Sequence, residues 1–236
     1  MKRLALLFLI FNFQLSTVNL MAQVGEYRSA LAIGVNGGYG LNRISFNPTI
    51  KQAYHGGMLG GLTLRYTCEK YFAMYCAVQA EVNFAQLGWK EVIETSEDTY
   101  SRTINYVQVP LLARLGFGKE VKGVMGYLVL GPQLGFYLSD SDKRGGEWSA
   151  ATLYQRPNHV VEQYDLPIQN TFEYGITGGL GLEVNTRRAG HFMLEGRYYF
   201  GLSNIFNDGK ADTFGRSANG TIIAKVSYLF DVFSKK

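Results

Sequence analysis

Residues 190–203 read GHFMLEGRYYFGLS, and their chemistry repeats every second residue. Phe192, Leu194, Tyr198, Phe200 and Leu202 share one parity with Gly196. Met193, Glu195, Arg197, Tyr199, Gly201 and Ser203 share the other. Strand side chains alternate between two faces, so one face here is apolar and the other carries a carboxylate and a guanidinium. A helix would smear Glu195 and Arg197 into the apolar stripe. The same period recurs at about 30–41, 56–67, 71–87, 102–117, 122–138, 171–185 and 219–231, which makes eight strands and an all-β chain.

The connections carry a second signal. Those after the second, fourth and sixth strands are short (68–70, 118–121 and 186–189), whereas those after the first, third, fifth and seventh are long, the longest being 139–170. Short turns at one end and long loops at the other are the pattern of an outer-membrane barrel. The faces agree. One is a nearly unbroken apolar band. The other carries Arg65, Gln79, Glu81, Gln108, Arg114, Gln133, Glu183, Glu195, Arg197 and Lys225. An apolar exterior in lipid and a polar interior predict an antiparallel eight-stranded transmembrane β-barrel with short periplasmic turns and long extracellular loops. Backbone polar groups in lipid must all be paired, so the first strand is expected to pair with the eighth. Outward aromatics form two sets, one near the short turns (Tyr66, Phe72, Phe117, Phe192, Phe230) and one near the long loops (Tyr39, Phe84, Phe136, Tyr174, Phe200), as two interfacial rings would.

Residues 1–22 read as a signal peptide: Lys2 and Arg3, an apolar run from Leu4 to Phe13, and Ala22 before Gln23. The barrel domain is then 23–236, with no later run of 18 apolar residues. Net charge is +4 for the whole chain and falls to +2 without Lys2 and Arg3, so no nucleic-acid partner is expected. Cys68 and Cys76 are expected to be free thiols, too far apart in a hairpin to bridge.

NYVQVPLLARL (105–115), GPQLGFYLS (131–139), GITGGLGLEV (175–184) and EGRYYFGLSNIF (195–206) resemble the PorT-like outer-membrane β-barrel family over nearly all of the mature chain. The resemblance implies an eight-stranded outer-membrane barrel and a link to protein secretion across that membrane. It supplies no catalytic residues.

The inward charges Arg65, Glu81, Arg114, Glu183, Glu195, Arg197 and Lys225 are expected to pair as an ionic plug, because isolated buried charges are heavily penalised. In the long loop, Trp148, Tyr154, Arg156 and Tyr164 suit an interaction surface, 148–155 suits a hairpin arm that would extend the wall, and 148–164 as an added hairpin would make a ten-stranded barrel. Ser139, Asp140, Ser141, Asp142 and His159 hold the residue types of a lipid-modifying hydrolase, but no GxSxG pattern accompanies them and no catalytic residue is assigned. No metal site or cofactor is expected from three dispersed histidines, His55, His159 and His191. The expected partners are outer-membrane lipid and a protein at either face. The expected role is a non-enzymatic surface or scaffold protein, with a narrow channel or a lipid-modifying enzyme as alternatives.

Overall fold

The computed structural model describes residues 26–119, 122–156, 160–186 and 189–235; the expected leader, 1–22, lies outside them. Eight long antiparallel strands form a ring: β1 Glu26–Asn47, β2 His55–Tyr71, β3 Met74–Glu91, β4 Thr99–Gly118, β5 Gly123–Gly145, β6 Phe172–Thr186, β7 Gly190–Gly201 and β8 Arg216–Lys235. Each pairs with its sequence neighbours, and β1 closes onto β8 with Val35 opposite Tyr228 and Leu41 opposite Ile222. A two-residue strand, Gln52–Ala53, adds to the long-loop end of β3. No described helix is long and apolar enough to cross a membrane.

The strands are longer than a crossing needs. β1 has 22 residues and β5 has 23, against roughly 9–11 for a membrane strand. The excess lies at the long-loop end, where the two faces exchange character. Along β1 the exposed residues are Val35, Tyr39 and Leu41, with Asn36 and Asn42 buried; past residue 42 Arg43, Ser45 and Asn47 point out, and Ile44 and Phe46 point in. Along β3, Val78, Val82 and Phe84 face out against buried Gln79, Glu81 and Asn83, and then Lys90 faces out against buried Leu87 and Trp89. β4 repeats this in reverse order, with Tyr100, Ile104 and Tyr106 buried at its start and Gln108 and Arg114 buried further on. The pleat does not change along these strands. The medium outside does, from lipid to water, and the apolar residues move to whichever face is dry.

Four expectations about element limits are corrected by this. The first strand does not end at 41 and the fourth does not start at 102, because a strand continues after its outer face turns polar. The 68–70 turn is instead Phe72–Ala73: Cys68 is bulged out between the pairs Thr67–Ala77 and Glu69–Cys76, which delays the turn, and Phe72, at φ 53°, is in the turn and 81% exposed. The long loop does not begin at 139, since 139–145 pairs with 99–105 of β4. Finally, 148–155 is no hairpin arm and the barrel has no ten-stranded form. Ala150–Tyr154 is a short helix, α1, with Thr152 N donating to the Ser149 hydroxyl (3.2 Å) at its N-cap. Cys68 and Cys76 are both free.

Candidate functional site

In the membrane half, the lumen is filled by charge. The Glu81 carboxylate, from β3, accepts from Arg197 Nη2 (2.6 Å) and Lys225 Nζ (2.5 Å), reaching across from β7 and β8. Gln79 (2.7 Å) and Asn83 (2.9 Å) donate to the same carboxylate from two residues either side. Glu195 contacts Arg197 and lies 3.4 Å from Lys225. Nearer the short turns, Glu183 of β6 accepts from Arg65 of β2 (2.7 Å) and pairs with Arg114 of β4. His191 Nδ1 lies 2.8 Å from Glu183, and its Nε2 lies 3.1 Å from Asp231 at the barrel mouth. All seven charged residues singled out from the sequence are buried, and six of the eight strands supply them.

Small residues make the room. Tyr127, whose ring centroid is 3.6 Å from the Arg114 guanidinium, lies where a Cβ on Gly181 would be, and the Arg197 stem lies against Gly179. At the short-turn mouth a cavity of about 180 Å³ remains, lined by Arg65, Tyr75, Met125, His191 and Asp231 among others. Among the described residues no group of three or more His, Cys, Asp or Glu side chains is placed to hold a metal ion.

Above the membrane half the lumen is filled mainly by apolar and aromatic side chains. Ile44, Phe46, Leu87, Trp89, Tyr100 and Ile104 from the strands pack with Val160, Tyr164, Ile168, Ile205, Phe206 and Phe214 from the long loops. Phe46 lies edge-on to Trp89 at 5.4 Å, and Tyr164 edge-on to both Tyr100 and Trp148 at 4.8 Å. Three arginines pin the 146–171 loop over this core. Arg156 bonds Asp98 (2.8 Å) and Ser96 (2.9 Å), Arg102 bonds Asp140 (2.7 Å) and the Leu166 carbonyl (2.7 Å), and Arg144 bonds the Tyr164 carbonyl (2.7 Å). Of the four loop residues expected to form an interaction surface, Arg156 and Tyr164 are buried and Trp148 is half-buried against Tyr100 and Tyr164. Tyr154, 76% exposed, is the one that points outward.

Two carboxyl groups of this cap are displaced in opposite directions. Burial pushes Glu91 above the ordinary carboxylate range, against the pull of hydrogen bonds from Tyr164 (2.7 Å), Trp89 and Gln163. At Asp98 burial acts the same way but is outweighed by Arg156 and the Trp148 amide, which hold the carboxyl well below its usual range.

The hydrolase residues are engaged otherwise. Asp140 takes hydrogen bonds from Arg102 and from Tyr137 (2.5 Å), Asp142 takes one from Arg144 (2.8 Å), and Asn105 donates to Ser139 (3.0 Å). His159 lies outside the described residues.

The fold and lumen define an integral outer-membrane protein. Residues 21–207 match the family described as the outer membrane protein beta-barrel domain, and the chain belongs to that family. Among solved structures, Neisserial surface protein A is 13% identical with a TM-score of 0.43, the match covering 87% of this chain and 100% of that one. OprG from Pseudomonas aeruginosa is 13% identical (TM-score 0.42, 88% and 95% covered). Ail of Yersinia pestis, solved with the heparin analogue sucrose octasulfate, is 13% identical (TM-score 0.36, 87% and 99% covered). No curated protein sequence matches the chain.

Reading the sequence missed the cap core and its arginine pins. The signal was present in the exchange of parity at Arg43–Asn47, where outward residues turn polar while Ile44 and Phe46 remain apolar on the other face.

Proposed function

We propose that this is a non-enzymatic, non-conducting outer-membrane barrel that serves as a surface scaffold and assists protein secretion, as its resemblance to PorT-like proteins implies. One observation carries the closed-lumen part of this reading: the lumen is obstructed at two levels by unlike materials. The Glu81 and Glu183 ion clusters fill the membrane half, and the Trp89–Phe206 aromatic core fills the half above it. A channel needs a continuous wet path, and buried, mutually paired or packed side chains at both levels argue against one. The engagement of Asp140 and Asp142 by arginines argues against the hydrolase alternative. The test is planar-bilayer conductance of the refolded mature chain beside heat-dependent gel mobility. A heat-modifiable band without conductance supports a closed scaffold, whereas steady single-channel current would make the narrow-channel reading primary.

A further inference from the structure

Most of the described arginines are spent on carboxylates: Arg65, Arg102, Arg114, Arg144, Arg156 and Arg197 all hold one. Arg43 and Arg216 are different. Both are exposed, both point out of the barrel wall, and among the described residues no carboxylate pairs with either. Each guanidinium rests on an aromatic ring instead, Arg43 over Tyr54 (5.2 Å) and Arg216 over Phe200 (5.7 Å).

The two arginines line one groove. Arg43 sits opposite Gly220 and Arg216 opposite Asn47, on the adjacent strands β1 and β8. Four residues of strand separate them, about 13 Å at ~3.3 Å per residue. Between them lies a groove of about 420 Å³ walled by Tyr54, Tyr198 and Phe200. Two features keep it open. Gly220 bears no side chain, and a Cβ there would stand 3.1 Å from the Tyr198 hydroxyl. The 48–54 loop is folded back by Gln52, whose amide bonds the Ile44 backbone N–H (3.1 Å) and carbonyl (2.8 Å) and so fixes Tyr54 beside Arg43.

The depth of the groove selects its occupant. On β1 the outward residues pass from Leu41 to Arg43, and on β8 Ile222 lies just below Gly220. This is where the hydrocarbon face ends and the headgroup layer begins. Guanidinium groups are suited to phosphate oxygens, and the aromatic walls are suited to the apolar body of a lipid. We propose that this groove binds a phosphorylated glycolipid of the outer leaflet, with Arg43 and Arg216 on its phosphates and Tyr198 and Phe200 against its sugar and proximal acyl chains. The site rests on the long loops facing the cell exterior, and it lies on the outer wall, so it is independent of whether the lumen conducts.

The test uses the full mature chain, refolded and extracted into detergent with bis-phosphorylated lipid A or its dephosphorylated form, and native mass spectrometry of the retained lipid. Wild type is expected to retain the phosphorylated form about tenfold better than Arg43→Gln/Arg216→Gln, as the loss of charge-assisted contacts implies, and to show no such difference for the dephosphorylated form. Heat-modifiable gel mobility confirms that the variant is folded, and Arg43→Lys/Arg216→Lys should recover part of the retention. Equal retention by wild type and the glutamine variant overturns the proposal. So does displacement of the lipid by millimolar inorganic phosphate, which would mean a site for the free ion, or by an acidic peptide, which would mean a protein-docking surface. Conductance in the bilayer assay would overturn the closed-lumen scaffold without touching this result.

Discussion

The membrane half and the outer half of this barrel are built on the same strands with opposite faces dry. Below residue 42 of β1 the wall is apolar outside and ionic inside, and above it the wall is polar outside and aromatic inside. What differs is the medium that the outer face must meet. In lipid, the hydrophobic effect gives no reason to bury apolar side chains in the lumen, so the lumen is free to hold charges that pair with one another. In water the usual rule returns, and the lumen becomes an ordinary core roofed by loops. One backbone therefore carries two kinds of interior, joined where Asn42, Gly88 and Asn219 meet: Asn42 Nδ2 donates to the Gly88 carbonyl (2.6 Å) and to Asn219 (3.0 Å).

The contrast can be broken most forcefully at Glu81. Glu81→Gln leaves Arg197 and Lys225 without their main counter-charge in the membrane half, and the expected loss is about 3–5 kcal/mol, measured by urea titration of heat-modifiable mobility. An unchanged midpoint would mean that the charges are solvated rather than a packed network. Phe206→Ala should cost a comparable 3–5 kcal/mol or so, but in the outer half alone. Both tryptophans of the chain, Trp89 and Trp148, sit in or against the cap core. Their fluorescence should therefore report an early cap transition while gel mobility still shows a closed barrel; coincident transitions would show one cooperative unit instead.

Two arginine substitutions on outward positions sharpen the comparison. Leu194→Arg, on the lipid face opposite Val226, should cost about 2–4 kcal/mol. Ser45→Arg, also outward but above the exchange of faces, should stay within about 0.5 kcal/mol. Similar costs for both would remove the assigned boundary. The smallest expected effect is one of pH. Because Glu91 is raised in the folded cap, its favourable contribution is complete below its ordinary value near 4.5 and is lost as pH rises through the raised value. Asp98 runs the other way, stabilising above its ordinary range and losing this as pH falls through its lowered value. Glu91→Gln should thus raise the fluorescence-monitored Tm of the cap at pH 8, with the gain vanishing below about pH 4.5. A gain that persists in acid would assign the effect to packing rather than ionisation.

The barrel, its strand number and its closure were legible because period two with an uninterrupted apolar face leaves few alternatives. What failed to show were the places where that face ends. Arg43, Ser45 and Asn47 read as the start of a loop when only the apolar face is followed, though Ile44 and Phe46 keep the period on the other side. The bulge at Cys68 was hidden for a related reason: a single unpaired residue shifts parity without altering composition. Within the membrane half the buried charges were identifiable singly by their parity. Their pairing was not, because shear between strands decides that Glu81 meets Arg197 and Lys225 from the far side of the ring while Glu183 meets Arg65 and Arg114. The roles of Trp148, Arg156 and Tyr164 were reversed in reading, since aromatics and arginine suit an exposed docking surface and a loop pinned onto a core equally well.

The seam between β1 and β8 has a consequence for biogenesis. Val35 finds its partner, Tyr228, at almost the opposite end of the chain. Until that last segment is delivered, β1 has a bare edge and the charges of β3 and β7 lack Lys225. Every earlier intermediate is an open sheet with an unpaired backbone edge, which lipid penalises. A sheet without β8 has no partner for β1 and cannot close as this one does, so its bare edge would be costly in lipid.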